Sequence, residues 1–159
     1  MKTNFHILIA DGSRSVCKAI VSILSALDNV IIDACLDNGA KVIEKIQTNA
    51  PDILILSLNL SRLSVRQILP RIMCFSPLPV IILDDELDPD SKQAQELIQS
   101  GAFKIIRRPH LLKMQKEYDS FKETLNYWVM RACKTKMVRI LKSEPFPCNL
   151  HTPTSTVRY

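Results

Sequence analysis

Residues 5–24 have the sequence FHILIADGSRSVCKAIVSIL, which places a short apolar run directly before an amphipathic one. The first six residues (FHILIA) are almost continuously apolar, which is typical of a buried strand. Ser13 lies in the polar break that follows and offers a side-chain oxygen for a helix cap. Apolar residues then recur at the spacing of one helix face, at Val16, Ile20, Ile23, Leu24 and Leu27. This stretch therefore predicts a buried strand followed by a helix.

The same strand–helix unit recurs along the chain. Further apolar runs predict strands at residues 30–35, 53–58, 80–83 and 103–106, with helical patterns between them and a long helix over 114–141. Because Pro70 lacks an N–H, we expect a kink or a late start in the helix predicted within 62–75. Five buried strands alternating with five helices predict an α/β fold. Its core is a doubly wound, five-stranded parallel sheet, and a long C-terminal helix follows.

Composition places the chain among globular proteins. It has 159 residues, of which 47% are hydrophobic and 23% charged, enough for one domain with its own core. No apolar run is long enough to span a membrane, so we expect no membrane span. The five cysteines are widely spaced, odd in number and without a C-x-x-C motif, which favours reduced thiols and a cytoplasmic location.

The net charge of +5 is concentrated in one segment. Residues 1–110 contain 12 basic and 12 acidic side chains, whereas residues 111–142 contain eight basic and three acidic ones. Within residues 131–142, Lys134, Lys136 and Arg139 alternate with apolar residues, which predicts a basic amphipathic helix. Such a helix could dock on the body, pair with a second copy, contact an acidic partner or touch nucleic acid. We do not expect nucleic acid to be the main partner, because no DNA-reading module follows.

Polar residues follow four of the predicted strands. In a doubly wound sheet, reactive groups collect at the carboxyl ends of the strands. Here those ends carry Asp11-Gly12, Ser57-Leu58-Asn59, Asp84-Asp85 and Arg107-Arg108-Pro109.

These positions carry a family resemblance. The segments ILIADGSRSVCKAIVSIL (7–24), PDILILSLNL (51–60) and SGAFKIIRRP (100–109) resemble bacterial response-regulator receiver domains. They are similar to the N-terminal receiver portion of chemotaxis protein-glutamate methylesterase. The resemblance implies a flavodoxin-like receiver fold for residues 1–130. The basic helical extension 131–142 follows, and residues 143–159, which are rich in Pro, Ser and Thr and have no periodicity, are expected to form a flexible tail.

The resemblance also implies a chemistry from which this chain departs. Receiver domains transfer a phosphoryl group from a kinase phosphohistidine to an aspartate after the third strand, with Mg²⁺ held by acidic side chains. Asp11 keeps one acidic position, whereas Gly12 replaces the second and Ser57 replaces the phosphoacceptor. Arg108 stands at the lysine position and Asp84 at the Ser/Thr position, while Asn59 matches a position that binds the metal through its backbone. We expect Mg²⁺ binding to be lost and no other cofactor to be bound.

Two interpretations of the altered strand ends remain open. Asp11, Asp84 and Arg108 are expected to lie within reach of each other. They could form an internal ion pair in place of the metal and phosphoryl group, or they could form a pocket for a small ligand. We favour the ion pair, because isolated buried charges are costly.

The functional expectation is a pseudo-receiver that is not an enzyme and acts through phosphorylation-independent protein–protein interaction. The expected partners are a histidine kinase or a chemotaxis component, and the last helices could form a homodimer. The resemblance places the partner surface over residues 91–130, with Phe103, Tyr118 and Tyr127 as exposed anchors. Two alternatives remain: a receiver fragment that regulates a methylesterase-like enzyme, or a nucleic-acid-associated regulator that uses the basic helix.

Overall fold

Strands and helices alternate along the whole described chain. The computed structural model describes residues 3–110 and 115–135. The strands are β1 (Phe5–Ala10), β2 (Val30–Leu36), β3 (Ile53–Ser57), β4 (Val80–Asp84) and β5 (Lys104–Arg107). The helices are α1 (Arg14–Leu24), α2 (Gly39–Thr48), α3 (Val65–Phe75), α4 (Lys92–Gln99) and α5 (Gln115–Cys133).

The strands form one parallel sheet in the order β2-β1-β3-β4-β5. Ile7 and Ile9 of β1 pack on the face covered by α1 and α5. Leu8 and Ala10 pack on the opposite face, against α2, α3 and α4. The central strands are apolar on both sides because helices bury both faces. The predicted doubly wound α/β fold is confirmed, and a C-terminal helix is present.

Local signals explain most helix ends. Asn38 caps α2 by accepting from Ala40 N at 2.8 Å, and Ser91 caps α4 by accepting from Ala94 N at 3.2 Å. Gly101 ends α4 with a φ of +115°, a conformation that favours glycine. Ser13 occupies the cap position of α1 but makes no capping hydrogen bond, so that prediction is wrong in its mechanism.

Helices α3 and α5 differ from the prediction in their limits. Helix α3 begins at Val65, after the cap residue Ser64, and Pro70 lies inside it, so the late start expected from Pro70 is not observed. Helix α5 ends at Cys133, where the prediction continued the helix to residue 141. The amide of Lys134 donates to the carbonyl of Arg131 at 3.1 Å in a tighter closing turn. Residues 136–142 of the predicted extension, Lys136 and Arg139 included, and the predicted tail lie outside the described residues.

The thiols also differ from the prediction at one position. Cys17, Cys35 and Cys133 are free. Cys74 is disulfide-bonded, which contradicts the expectation that all thiols are reduced.

Candidate functional site

The polar residues singled out in the sequence meet at one edge of the sheet. Asp11 directly follows β1, Ser57 ends β3, Asp84 ends β4, and Arg108 directly follows β5. Because these strands are parallel neighbours, their carboxyl ends form a continuous edge. The predicted site is therefore assembled by the topology.

Asp11 is a buried carboxylate with one unused oxygen. Its residue is 3% exposed. Oδ1 accepts from the amide of Ser13 at 2.7 Å, whereas Oδ2 has no hydrogen-bond partner among the described residues. The backbone of Asp11 is fixed as well, because its N–H donates to the carbonyl of Leu36 at 2.9 Å. The residue holds the β1–α1 loop and keeps a carboxylate oxygen at the strand edge.

Gly12 is closed off by the backbone of Asn59. The amide of Gly12 donates to the Asn59 carbonyl at 3.1 Å. A Cβ atom on Gly12 would lie 2.4 Å from that carbonyl oxygen, closer than non-bonded atoms approach. The space next to Asp11 therefore excludes even a methyl group, and a second acidic side chain does not fit without movement of the β3–α3 loop.

Ser57 offers a hydroxyl in a buried position. Its residue is 2% exposed, and its Oγ accepts from the amide of Asn59 at 3.3 Å. A serine hydroxyl needs an adjacent base to act as a nucleophile. No described contact links Ser57 to a histidine, and the observed contact steadies the loop that closes over Gly12.

The Asp84 carboxylate binds backbone amides of the loop that follows it. Its Oδ1 accepts from the amides of Glu86 at 2.9 Å and Leu87 at 2.8 Å. Its carbonyl accepts from the amide of Arg108 at 2.7 Å. This is the local turn that aspartate commonly forms with amides further along its own chain. Asp84 thus fixes the β4–α4 loop instead of pairing with an arginine.

The expected ion pair between Arg108 and Asp11 or Asp84 is replaced by one with Asp85. Arg108 Nη2 lies 3.7 Å from Asp85 Oδ2, and the arginine side chain is 11% exposed. His110 Nδ1 lies 3.4 Å from the same carboxylate oxygen. The sequence analysis missed Asp85 as a site residue, although its place directly after Asp84 at a strand end was a usable signal. The favoured ion pair is therefore wrong in its acidic partner, and the ligand pocket stays a prediction.

An open groove of about 810 Å³ runs beside this edge. Its lining includes Arg108 and Asn59 together with the acidic residues of the β4–α4 loop, Asp84, Asp85, Glu86 and Asp88. No group of three or more histidine, cysteine, aspartate or glutamate side chains within residues 3–110 and 115–135 is placed to hold a metal ion. Mg²⁺ requires octahedral oxygen ligands, usually including carboxylates. Asp11 Oδ2 and the Ser57 hydroxyl provide only one carboxylate oxygen and one hydroxyl oxygen, which are fewer ligands than such a site needs.

Residues 7–117 match the family model described as the response regulator receiver domain. The match covers more than half of the chain and includes β2 to β5, residues 7–10 of β1 and the first three residues of α5. The chain belongs to the response-regulator receiver family.

Curated relatives of this receiver domain include protein-glutamate methylesterases. The chain is 28% identical over 111 residues to a protein-glutamate methylesterase/protein-glutamine glutaminase of Rhodopseudomonas palustris (strain BisB18), covering 70% of the chain and 30% of the relative. It is 27% identical over 109 residues to the corresponding protein of Halalkalibacterium halodurans, covering 69% of the chain and 32% of the relative. The receiver domain thus spans about a third of the length of the relatives it matches.

Solved structures show the same fold. The response regulator domain of Thermotoga maritima CheB superposes with a TM-score of 0.76 at 18% identity, covering 84% of this chain and 99% of that one. The signal receiver domain of NarL from Mycobacterium tuberculosis gives a TM-score of 0.70 at 18% identity, covering 84% and 98% of the two chains. These likenesses support the receiver fold.

The predicted partner anchors of this receiver domain differ in their exposure. Tyr127 is 53% exposed. Phe103 and Tyr118 are half-buried against the core below α1 and α5, so the expectation that they are exposed is wrong. Lys134 is exposed just beyond the end of α5.

Trp128 lies at the centre of a group of aromatic and basic side chains next to Tyr127. It makes edge-to-face contacts with Phe103 at 6.2 Å and with Tyr127 at 5.3 Å between ring centroids. Lys104 Nζ lies 4.3 Å from the indole centroid. Arg131 Nη1 donates to the Tyr127 hydroxyl at 3.0 Å. We call Phe103, Lys104, Tyr127, Trp128 and Arg131 the α5 aromatic surface.

The described helices bear on the expectation that the chain has no membrane span. None of the helices within residues 3–110 and 115–135 has the length and apolar character needed to cross a bilayer.

Proposed function

We propose that this receiver domain is a pseudo-receiver, one that works without phosphorylation through contacts with other proteins of a bacterial signalling pathway. The observation that carries the proposal is the closure of Gly12 by the Asn59 carbonyl, at a Cβ distance of 2.4 Å. The closure removes the space for a second metal-binding carboxylate. Ser57 then leaves no carboxylate at the end of β3 to accept a phosphoryl group.

The hydrogen bonds of the Asp84 side chain support a single fixed conformation of the β4–α4 loop. A phosphorylation-dependent switch needs two arrangements of the β4–α4 loop whose populations a ligand can shift. Here Asp84 Oδ1 already binds the amides of Glu86 and Leu87. A side chain held in this way is not available to follow a phosphoryl oxygen, so we propose that the loop keeps one arrangement. The proposal includes loss of Mg²⁺ binding and no catalytic role for this chain.

The first experiment tests for the phosphorylation cycle itself. Amide NMR spectra of the full chain are recorded with millimolar Mg²⁺, and then with Mg²⁺ and beryllofluoride, which mimics a phosphorylated aspartate. We expect no saturable shifts at Asp11, Ser57 or Asp84. Saturable shifts at those amides would contradict the proposal. A mass increase of one phosphoryl group after treatment with acetyl phosphate would contradict it independently.

The α5 aromatic surface is the proposed contact region. Exposed aromatic and arginine side chains are enriched at protein interfaces, and Tyr127 and Arg131 form such a pair. Lys104 and Arg131 add positive charge beside the rings, which fits a partner with acidic side chains. We propose a cytoplasmic signalling protein, such as a histidine kinase or a chemotaxis component, as this partner.

The partner experiment uses a surface variant and a matched control. The full chain, a Tyr127→Ala/Arg131→Ala variant and a Glu123→Ala control on the same helix are used to capture proteins from the native cell extract, with and without nuclease. We expect one signalling protein that survives nuclease, is retained by Glu123→Ala and is lost with the double variant. Equal capture by all three proteins would contradict the assignment of this surface. Capture that disappears with nuclease would favour the nucleic-acid alternative.

A second candidate follows from the comparisons. The curated relatives are methylesterases that this chain matches over about a third of their length. A receiver fragment could therefore act by binding a separate methylesterase-like catalytic domain. Calorimetric titration of this chain into the catalytic domain of such a relative tests the idea. Saturable binding that Tyr127→Ala/Arg131→Ala weakens would favour it, whereas the absence of binding heat at several temperatures would exclude it for that relative.

A further inference from the structure

Cys17 and Cys35 lie on the same face of the sheet, at its β1–β2 side. Cys17 belongs to α1 and packs with Ile9 in the core beneath that helix. Cys35 pairs in register with Ile9 across the two parallel strands. Residues paired in this way project from the same face, because side chains alternate along each strand. The register therefore places the Cys35 side chain on the side that α1 covers.

The two thiols are neighbours. The nearby Cys35 thiol contributes, after burial, to the raised pKa of Cys17. Cys17 Sγ also lies 3.8 Å from the carbonyl oxygen of Asp11. The amide of Asp11 in turn donates to the carbonyl of Leu36, the residue after Cys35. The strand register and the contacts of the Asp11 loop thus bring the same two side chains together, and both thiols are free.

The pair is asymmetric in its access to solvent. Cys35 is exposed, whereas Cys17 is only 7% exposed. Burial, reinforced by the neighbouring Cys35 thiol, raises the pKa of Cys17 to about 12. A dissolved oxidant therefore reaches the Cys35 thiol first. Cys17 is then close enough to attack the oxidised sulfur of Cys35.

We propose that Cys17 and Cys35 are a redox-sensitive pair that closes to an intramolecular disulfide bond in the presence of a small disulfide such as oxidised glutathione. The Cys35 thiolate attacks one glutathione sulfur, the glutathione S–S bond breaks, and one glutathione leaves as a thiolate. Cys17 then loses its proton to solvent and attacks the Cys35 sulfur, and the second glutathione leaves. The two protein thiols lose two electrons in total, and one oxidised glutathione becomes two reduced ones.

The bond would join α1 to β2 next to the buried Asp11. Among the strands of residues 3–110 and 115–135, β2 is at the edge of the sheet and has a neighbour on one side only. A covalent link between residues 17 and 35 would tie this edge strand to the helix that covers it. The inference does not depend on the proposed partner or on the loss of phosphorylation.

Peptide mapping of the folded full chain tests the proposal. Trypsin cuts after Arg14, Lys18 and Lys41, so Cys17 and Cys35 fall on separate peptides, 15–18 and 19–41. After oxidised glutathione treatment at pH 8.5 and blocking of remaining thiols, we expect the two peptides joined, two hydrogens lighter than their sum. The joined peptide should be lost in Cys35→Ser and in Cys17→Ala, and it should persist in the control Cys133→Ser.

Two outcomes would overturn the proposal. One is a stable Cys35–glutathione adduct with no joined peptide after prolonged incubation. The other is a joined peptide that forms no faster in the folded chain than in the urea-unfolded chain, because the fold would then contribute nothing to the pairing. Reversal by dithiothreitol, with return of both free thiols, is the expected behaviour of the native pair.

Discussion

A Cβ atom on Gly12 would lie 2.4 Å from the carbonyl oxygen of Asn59, and the amide of Gly12 donates to that same oxygen at 3.1 Å. The β1–α1 and β3–α3 loops are therefore in direct backbone contact. In a receiver domain this is the place where the acidic side chains would gather, and here the main chain occupies it.

The first prediction concerns that contact. Gly12→Ala should lower the free energy of unfolding by about 1–3 kcal/mol, because the added methyl group must displace backbone instead of a flexible side chain. Urea unfolding followed by circular dichroism measures the loss. Ser15→Ala, an exposed change three residues away, is the control and should stay within about 0.5 kcal/mol of the parent chain. Equal unfolding midpoints for Gly12→Ala and the parent chain would contradict the close approach.

The second prediction concerns Asp84. Asp84→Ala should expose the amides of Glu86 and Leu87 to faster hydrogen exchange, because both lose their acceptor. Asp84→Asn keeps an acceptor oxygen in the same place, so most of the protection should remain. Amide exchange followed by NMR compares the two variants. If both gave the parent exchange rates, the side chain would not be holding the loop.

The third prediction concerns the Lys104–Trp128 contact. Lys104→Met should cost about 0.5–1 kcal/mol of stability, because the ammonium group no longer lies over the indole face. Trp128 is the chain's one tryptophan, so its fluorescence reports the same change directly. The matched control is Lys18→Met, on the exposed side of α1. A stability loss shared by both variants would indicate a general charge effect instead.

The fourth prediction is a loss of stability at alkaline pH. Burial raises the pKa of Cys133 from 9.0 to about 11, with the negative charge of Asp52 adding to the effect. Burial likewise raises the pKa of Cys17 from 9.0 to about 12. Below pH 9 both thiols are protonated whether the chain is folded or unfolded. Above pH 9 the unfolded chain releases these protons first, so the free energy of unfolding should fall as the pH rises.

Cysteine variants separate this effect from other alkaline titrations. Cys133→Ser and Cys17→Ala should each flatten the decline in stability between pH 9 and 11, measured by urea unfolding at each pH under reducing conditions. Ser15→Ala, at an exposed residue without a titratable side chain, is the comparison variant. Parallel pH profiles for all of these chains would show that the buried thiols do not contribute.

The sheet was predictable because its signals are local and agree with each other. Runs such as FHILIA and ILILS are apolar on both sides, which only a strand covered by helices on both faces tolerates. Gly101 and Ser91 mark their helix ends through backbone geometry that depends on neighbouring residues alone. Within α5, however, Trp128 and Val129 are adjacent apolar residues, and only Val129 is fully buried. Helical spacing alone does not show which of two adjacent apolar residues faces the core.

The site was predictable in its location but not in its pairings. Parallel topology alone brings Asp11, Ser57 and Arg108 to one edge. The choice of Asp85 over Asp84 as the partner of Arg108 depends on the turn in which Asp84 binds the amides of Glu86 and Leu87. The closure over Gly12 depends on the path of a loop more than forty residues away. Neither relationship is visible in the residue types themselves.

The closure over Gly12 also bears on whether this chain could regain phosphotransfer. Restoring an acidic residue at position 12 first meets the Asn59 carbonyl, so that single step costs stability before it offers any new chemistry. Restoring a carboxylate at Ser57 alone supplies an acceptor without the second metal-binding group. On the proposed function, each isolated reversal is therefore disadvantageous, and the main-chain contact makes phosphotransfer hard to regain by one mutation at a time.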